Sequence, residues 1–328
     1  MKTLVTGGAG FIGSHLVEQL LKDGHTVVVL DNFSTGRPEN LKQLTKFKKL
    51  KLVPLDISDY RINLNQYLMK VDWVFHLAAL ADIVPSIVNP KIYHRVNVDG
   101  TVNMLIAAHS AGVKKFVYAA SASCYGIPKK FPTPETTPVH PQYPYALTKY
   151  IGEQYTLHWG KVYQLPVVSL RLFNVYGPRS RTSGTYGAVF GIFLAQKLAE
   201  KSFTIVGDGT QTRDFTYVTD VTNAFVMAAK SKVVNEIFNV GTGQPQSVNK
   251  LVRLLGGTTT HIPKRPAEPD KTQADIRKIK RLLNWKPAVS FETGVQQLLT
   301  QIDYWNTAPV WTPAKIETAT RDWFKYLK

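Results

Sequence analysis

Tyr145 and Lys149, in the run YALTK, place a phenol and an ammonium four residues apart. On a helix, residues i and i+4 share a face, so the two groups are neighbours. A free phenol ionises at about pH 10 and is a poor base at neutral pH. A cation beside it favours the phenolate, and a phenolate held in place can take a proton from a substrate hydroxyl. Ser121, in SASCYG, adds a hydroxyl that can hydrogen-bond the same oxygen and share the proton path. Taken alone, a YxxxK pattern is an ordinary exposed helix face. Its meaning depends on what the rest of the chain places beside it.

The neighbour is suggested by Met1 to Gly13, MKTLVTGGAGFIG. Lys2 to Thr6 reads as a short apolar strand. Phe11, Ile12, Leu16, Val17, Leu20 and Leu21 then recur at helical spacing, with Gly24 as the stop. Thr26 to Leu30 is a second buried strand, ending at Asp31. Between the first strand and the helix lie Gly7, Gly10 and Gly13. Gly7 permits a tight turn, Gly10 lets backbone approach a pyrophosphate, and Gly13 lets the helix pack on the sheet. The helix N-terminus, with its unpaired N–H groups and positive dipole end, receives phosphates. A bare glycine loop is more often just a turn. Here it joins a strand to a helix, and an acid ends the next strand. Asp31 can accept hydrogen bonds from both ribose hydroxyls and would repel a 2′-phosphate, which points to NAD rather than NADP.

Strand and helix continue to alternate. Leu50 to Pro54, Trp73 to Leu77, Phe116 to Ala120 and Val167 to Leu172 read as strands, with helical stretches over 89–111 and 145–164. The rhythm predicts an α/β fold, a doubly wound parallel sheet of the Rossmann type covered on both faces. Ligands on such sheets sit beyond the carboxyl ends of the strands, where Gly7, Asp31, Asp56, Ala78, Ser121 and Asn174 fall. After Asn174 the rhythm changes. A polar stretch, 178–187, precedes a helix to about Glu200 and a turn at Gly207-Asp208-Gly209. A helix from about Thr219, a strand at Glu236 to Val240 and a proline-rich loop at 263–270 follow. Helices are expected over 275–283 and 291–305, and a closing one starts at Thr312-Pro313. The expected division is an NAD-binding domain over 1–172, with 210–241 returning to it, and a smaller α/β substrate-binding lobe from 173–209 and 242–328.

The 328 residues suffice for a full core, and 44% apolar with 19% charged residues is a globular composition. No apolar run is long enough to span a bilayer, and no signal-peptide pattern precedes the first strand. The single cysteine, Cys124, allows no internal disulfide and fits a reducing cytosol. The expectation is a cytoplasmic protein without a membrane partner. The net charge of +17 is high. The basic residues are dispersed apart from KFKKLK at Lys46 to Lys51, with no zinc-finger spacing or RNA-binding aromatic pattern. The charge therefore reads as a basic surface attracting an anionic small substrate, not as a nucleic-acid site. The eight histidines show no ligand spacing, so no metal is expected.

TGGAGFIG at Thr6 to Gly13, HLAA at His76 to Ala79, SASCYG at Ser121 to Gly126, YALTK at Tyr145 to Lys149, LRLFNVYGPR at Leu170 to Arg179 and TRDFTYVTDV at Thr212 to Val221 occur in order. Together they resemble the extended short-chain dehydrogenase/reductase family, and within it the NAD-dependent nucleotide-sugar epimerases and dehydratases. The resemblance ends at about residue 305. It implies that Ser121, Tyr145 and Lys149 are the catalytic residues. It places Phe11, Ile12, Leu77, Ala78 and Ala79 against NAD, Asp56 and Ile57 at the adenine, and Asn32 and Ser34 at the adenosine ribose. It assigns Asn97 to ordering backbone near the site. It also implies a homodimer through the helices at 89–111 and 145–164.

The implied reaction removes the proton of a sugar 4-hydroxyl at Tyr145 while C4 gives hydride to NAD. The 4-keto sugar then inverts, loses water or, in a uronic acid, loses carbon dioxide. The 4,6-dehydratases resembled here carry Asp-Glu after the serine, and the decarboxylases a glutamate at the second place. This chain has Ala122 and Ser123, which favours epimerisation at C4. The substrate residues implied are Ser121, Ser123, Asn174, Val189 and Thr272, with Arg213 and Arg265 for the diphosphate. Val206 sits where relatives often place a ring against the base, so UDP is a family expectation. Asn174 is more like enzymes for neutral or N-acetylated sugars, where UDP-glucuronate 4-epimerases tend to have threonine; Arg181 keeps a uronate in play. Thr272 stands where some UDP-galactose 4-epimerases have a bulky tyrosine, leaving room for an N-acetyl group. The expectation is UDP-glucose/UDP-galactose and UDP-GlcNAc/UDP-GalNAc epimerisation. The alternatives are UDP-glucuronate 4-epimerase and nucleotide-sugar dehydratase or decarboxylase.

Overall fold

In the computed structural model, which describes residues 1–180 and 188–327, the expected strands form one parallel sheet. They are β1 (Lys2–Thr6), β2 (Thr26–Asp31), β3 (Leu50–Pro54), β4 (Trp73–His76), β5 (Lys115–Ser121) and β6 (Val167–Leu172). A seventh strand, Glu236–Val240, pairs in parallel with β6 and sets Val240 opposite Leu172. The order across the sheet is β3, β2, β1, β4, β5, β6 and Glu236–Val240. The strand order reverses between β1 and β4, which opens a crevice at their carboxyl ends.

Both faces of the strands are apolar, as a doubly covered parallel sheet requires. Val5, Val27, Val29, Phe75 and Val117 face one side. There they meet Leu16, Val17 and Leu20 of α1 (Phe11–Lys22) and Ala224 and Phe225 of the Val218–Lys230 helix. Leu4, Val28, Leu30, Val74 and Phe116 face the other side, under Met104 and Leu105. Gly7 turns the chain off β1 at φ +68°. A Cβ on Gly13 would lie 2.1 Å from the Gly7 carbonyl oxygen, so only glycine lets α1 begin this close to the strand.

The stretch expected as one helix over 89–111 is three joined pieces: Pro90–His94, a π-helical turn at Arg95–Asp99, and Gly100–Ser110. The π turn contains Asn97. Its side-chain oxygen accepts from Leu80 N–H at 2.8 Å, and its amide donates to Leu80 O and Thr148 Oγ1, both at 3.0 Å. Asn97 thus ties the loop after β4 to the helix that carries Tyr145 and Lys149. Periodicity at 3.6 residues does not reveal such a turn, because one inserted residue leaves the pattern on either side intact. The elements that the sequence reading lacks include a 3-10 turn at Pro38–Leu44 and helices at Asn65–Leu68 and Ile83–Val88. Each is too brief for a periodic signal.

Beyond this sheet, three short two-stranded sheets are built from interleaved segments. Phe203–Val206 pairs with Thr259–Ile262, Thr212–Arg213 with Gln246–Ser247, and Val175–Tyr176 with Thr216–Tyr217. The core around them is aromatic: Tyr176 stacks on Phe190 at 4.6 Å between centroids, and Phe215 on Phe291 at 5.3 Å. The closing helix is Pro313–Tyr326, with the Thr312 hydroxyl as its N-cap. Among the described residues no helix is long and apolar enough to cross a membrane.

The helix Pro144–Val162 is fastened to the sheet by a buried ion pair. Arg171 of β6 donates to Glu153 through Nη2 at 2.6 Å and Nε at 3.0 Å, and Ser169 Oγ donates to the same carboxylate at 2.8 Å. Removing one member of a buried pair typically costs about 3–5 kcal/mol, because the other charge is left uncompensated. Glu153→Ala is expected to lower the unfolding free energy by about that amount. Urea denaturation measures it, and a loss of less than about 1 kcal/mol would mean the pair behaves like an exposed one.

Candidate active site

Gly7, Gly10, Phe11, Ile12, Gly13, Asp31, Asn32, Ser34, Asp56, Ile57, Leu77, Ala78 and Ala79 line a single cavity of about 410 Å³ over the carboxyl edge of β1, β2 and β4. α1 points its N-terminus there, with no side-chain cap and no acidic residue in its first turn. Its positive end is therefore left for an outside anion. Asp31 is buried. It accepts from Ala9 N–H at 2.9 Å and Phe33 N–H at 2.8 Å, which aim the carboxylate into the cavity. Burial raises its pKa, and those two N–H bonds pull it back down. The loop after β4 is set by Thr6, whose hydroxyl accepts from Leu77 and Ala78 N–H, both at 3.2 Å. Thr6 also meets His76, a buried imidazole whose pKa burial depresses to about 3 and which is therefore neutral. Arg179, beyond β6, lines the same cavity and pairs with Glu18, while its Nη1 has no hydrogen-bond partner among the described residues. These donors, and an acid positioned for a diol, fit a dinucleotide.

A second cavity, of about 610 Å³, opens from the first and is lined by Ser121, Ser123, Tyr145, Lys149, Asn174, Val189, Arg213, Arg265 and Thr272. Ser121 ends β5, and Tyr145 and Lys149 stand one turn apart near the start of Pro144–Val162. The cavity also includes Phe11, Ile12, Leu77 and Ala79 in its wall, so the two spaces are continuous. Ser121 hydrogen-bonds the Tyr145 phenol and favours its ionised form, but burial outweighs this and raises the phenol's pKa. Burial likewise depresses Lys149 to about 7, opposed only by Glu153. Its ammonium lies 4.3 Å from the centre of the Tyr118 ring. The sequence reading of Lys149 as a charge that lowers the phenol's pKa is thus incomplete. In the protein alone, desolvation dominates both groups.

Ser121 Oγ and Ser123 Oγ are 2.8 Å apart. Ser123 also hydrogen-bonds Tyr143, whose ring lies parallel to that of Tyr145, 6.3 Å away. The four hydroxyls form a chain along the cavity wall. Thr272 is a small wall residue whose hydroxyl donates to Asn174 Oδ1 at 2.8 Å and accepts from Asp214 N–H at 3.0 Å. Arg213 and Arg265 converge on one carboxylate, Glu268, at 2.9 and 3.7 Å. Cys124 is buried beneath this site, with its thiol pushed up to about 12 by burial, and is inert. Arg181 lies outside the described residues. Among them no group of three or more His, Cys, Asp or Glu could hold a metal ion. Sequence reading missed Tyr143, Glu268 and Trp323, all in the cavity wall. Tyr143, two residues before Tyr145, was open to notice; Trp323 carried no signal, since only folding brings the closing helix here.

The sheet and the glycine loop define a dinucleotide-binding protein with a serine–tyrosine–lysine group in the adjoining cavity. The chain belongs to the NAD dependent epimerase/dehydratase family, whose model matches residues 3–241. Its cofactor is NAD and its substrates are nucleotide sugars. It is 39% identical over 302 residues to a UDP-glucose 4-epimerase of Mycolicibacterium smegmatis, covering 90% of this chain and 96% of that one. A UDP-N-acetylglucosamine 4-epimerase from Methanobrevibacter ruminantium M1, solved with UDP-N-acetylmuramic acid, superposes with a TM-score of 0.86 at 33% identity, over 92% of this chain and 98% of the other. A UDP-glucuronic acid 4-epimerase from Bacillus cereus, solved with UDP-glucuronic acid and NAD, gives 0.86 at 34% identity, over 94% and 99%. UDP-glucuronic acid decarboxylases are similar at 32–33% identity.

The depressed pKa of Lys149 has a stability consequence. The unfolded lysine titrates near the ordinary value of 10.5 and the folded one at about 7. The unfolded chain therefore binds the extra proton between these values, and stability rises with pH across that window. The penalty for the buried ammonium is full below about pH 7 and gone above about 10.5. Lys149→Met is expected to raise the melting temperature of the NAD-free protein, most at pH 6 and progressively less towards pH 10. Melting curves against pH measure this; a gain that does not shrink with pH would contradict the assignment.

Proposed function

We propose that the protein interconverts C4 epimers of a nucleoside-diphosphate sugar through a transient 4-keto sugar, with UDP-glucose/UDP-galactose and UDP-GlcNAc/UDP-GalNAc as substrates. The observation that carries this reading is the composition of the wall next to Tyr145. Elimination and decarboxylation both call for an acid–base group beside the serine. Positions 122 and 123 offer a methyl and a hydroxyl, and the Ser123 hydroxyl is held by Ser121. On this reading Gly7, Gly10, Phe11, Ile12, Gly13, Asp31, Asn32, Ser34, Asp56, Ile57, Leu77, Ala78 and Ala79, together with Tyr145 and Lys149, hold NAD, which when bound takes a hydride from C4 and returns it. Residues 1–172 with 210–241 form the NAD-binding domain, and 173–209 with 242–328 the substrate-binding lobe.

Tyr145 takes the proton of the 4-hydroxyl and gives it back to the ketone oxygen after the sugar has turned over. Ser121 hydrogen-bonds that oxygen in both positions. Lys149 holds the nicotinamide ribose side of the site and keeps the phenol oriented. Ser123, Asn174, Val189 and Thr272 line the sugar, and Arg213 and Arg265 pair with the diphosphate. The cavity's volume, about 610 Å³, leaves space for rotation of the ketose. Thr272, bonded to Asn174, leaves space for an acetamido group. Ile92, Ile106, Tyr155 and Val162, exposed on the helices around 89–111 and 145–164, support a homodimer there. With a single, buried cysteine, which suits a reducing compartment, the cytoplasm is the proposed location.

Incubating the purified protein with UDP-sugars and following products by NMR tests the reading. Equilibration of C4 epimers without added NADH is expected, for both neutral and N-acetylated sugars. Tyr145→Phe should abolish turnover and keep NAD bound, and Thr272→Tyr should suppress the N-acetylated pair selectively. A 4-keto-6-deoxy product, release of carbon dioxide, or turnover confined to UDP-glucuronate would replace this reading with one of its alternatives. Light scattering should return twice the chain mass; a monomer at micromolar concentration would remove the dimer proposal.

A further inference from the structure

The closing helix, Pro313–Tyr326, lies beyond the run of motifs that places the chain in its family, yet it reaches the substrate cavity. One residue makes the connection. Trp323 is 4% exposed and faces the cavity wall. Its indole N–H donates to the Pro266 carbonyl at 2.8 Å. Its ring lies under the Arg265 guanidinium, 5.3 Å from the centroid, and against Tyr143 at 6.4 Å. The helix is itself well anchored, since Ile316 and Thr320 are buried and Thr312 caps it.

We infer that Trp323 is a positioning residue that holds Arg265 for the substrate's diphosphate, so the closing helix is part of the substrate site. The physical argument rests on where Arg265 sits. The stretch 263–270 is irregular chain rich in proline, with no strand or helix to fix its direction. A guanidinium on such a loop is aimed only by what packs on it. Trp323 holds both the backbone, through Pro266, and the side chain, through the cation–π face. Glu268, which also pairs with Arg213, lies 3.7 Å from the Arg265 guanidinium. The aromatic face packs on the guanidinium from the closing helix, and Arg265 lines the cavity. No residue of Pro313–Tyr326 lines the cofactor cavity, so the effect is confined to substrate.

This inference rests on the diphosphate reading of Arg265, and UDP alone is the probe that separates the two. Calorimetric titration of UDP into the full-length NAD-loaded protein is expected to show Trp323→Ala binding on the order of tenfold more weakly. Trp323→Phe, which keeps the ring, should recover most of that loss. Arg265→Ala should also bind UDP more weakly, and the double variant should be no weaker than Arg265→Ala alone. With the sugar nucleotide the enzyme turns over, Trp323→Ala should raise KM about tenfold and leave kcat within about twofold, with NAD content unchanged. Parental UDP affinity in Trp323→Ala, a loss as large in Trp323→Phe, or losses that multiply in the double variant would overturn the positioning role. Undiminished UDP binding by Arg265→Ala would instead overturn the diphosphate reading, and the inference with it.

Discussion

Lys149 is an ammonium in a place where an ammonium is costly, and much of the surrounding structure exists to keep it there. Burial depresses its pKa to about 7. What offsets the cost is local: the Tyr118 ring beneath it and Glu153 one turn further along the same helix. Glu153 is itself a buried charge that Arg171 and Ser169 satisfy. The reactive pair is thus joined to β6 through a chain of buried polar contacts. Such networks are strong when every member has a partner and costly when one does not. The helix bearing Tyr145 is consequently held by polar groups as well as by apolar packing.

Around this anchor the two halves of the site meet along one sheet edge. The strand ends at Thr6, Asp31 and His76 lie on the cofactor side, while Ser121 at the end of β5 and the loops beyond the sheet line the substrate side. Asn97, held in a π-helical turn, links the loop after β4 to Thr148, next to Lys149. Thr6 and His76 do the same for the loop at Leu77 and Ala78. The cofactor loop and the reactive helix are thereby set relative to each other by buried hydrogen bonds, which is how sub-ångström positioning is obtained from elements distant in sequence.

Family membership shows an enzyme that modifies nucleotide sugars with NAD. The choice among inversion, elimination and decarboxylation rests on few atoms. The hydroxyl chain through Ser121, Ser123 and Tyr143 can orient an oxygen and pass a proton, but it contains no carboxyl group. Thr272 and Asn174, bonded to each other, make a small polar wall where a larger side chain would fill the cavity. Substrate choice in such a site is a matter of shape and of a few hydrogen bonds, both of which loop residues change easily without disturbing the sheet.

The βαβ unit, the strand-ending Asp31 and the spacing of Tyr145 and Lys149 are local, and a local pattern is legible because its physical cause lies within a few residues. Apolar strands and 3.6-residue periodicity likewise disclosed the doubly wound sheet. The π turn at Arg95–Asp99, the short helix at Ile83–Val88 and the 3-10 turn after β2 were not legible, since each spans only one or two turns, too few to repeat an apolar pattern. Tertiary structure alone decided the balance of charge at the site. Whether Lys149 is strongly or weakly charged depends on how much water folding removes from it, and no spacing records that. It alone also brought Glu268 to Arg213, and Trp323 beneath Arg265, because those contacts join residues 55 and 58 positions apart. The sequence by itself determined which chemical groups the chain has and the elements they stand on. Folding determined which groups are dry, which are paired and which face the same cavity, because burial and contact are properties of the packed molecule.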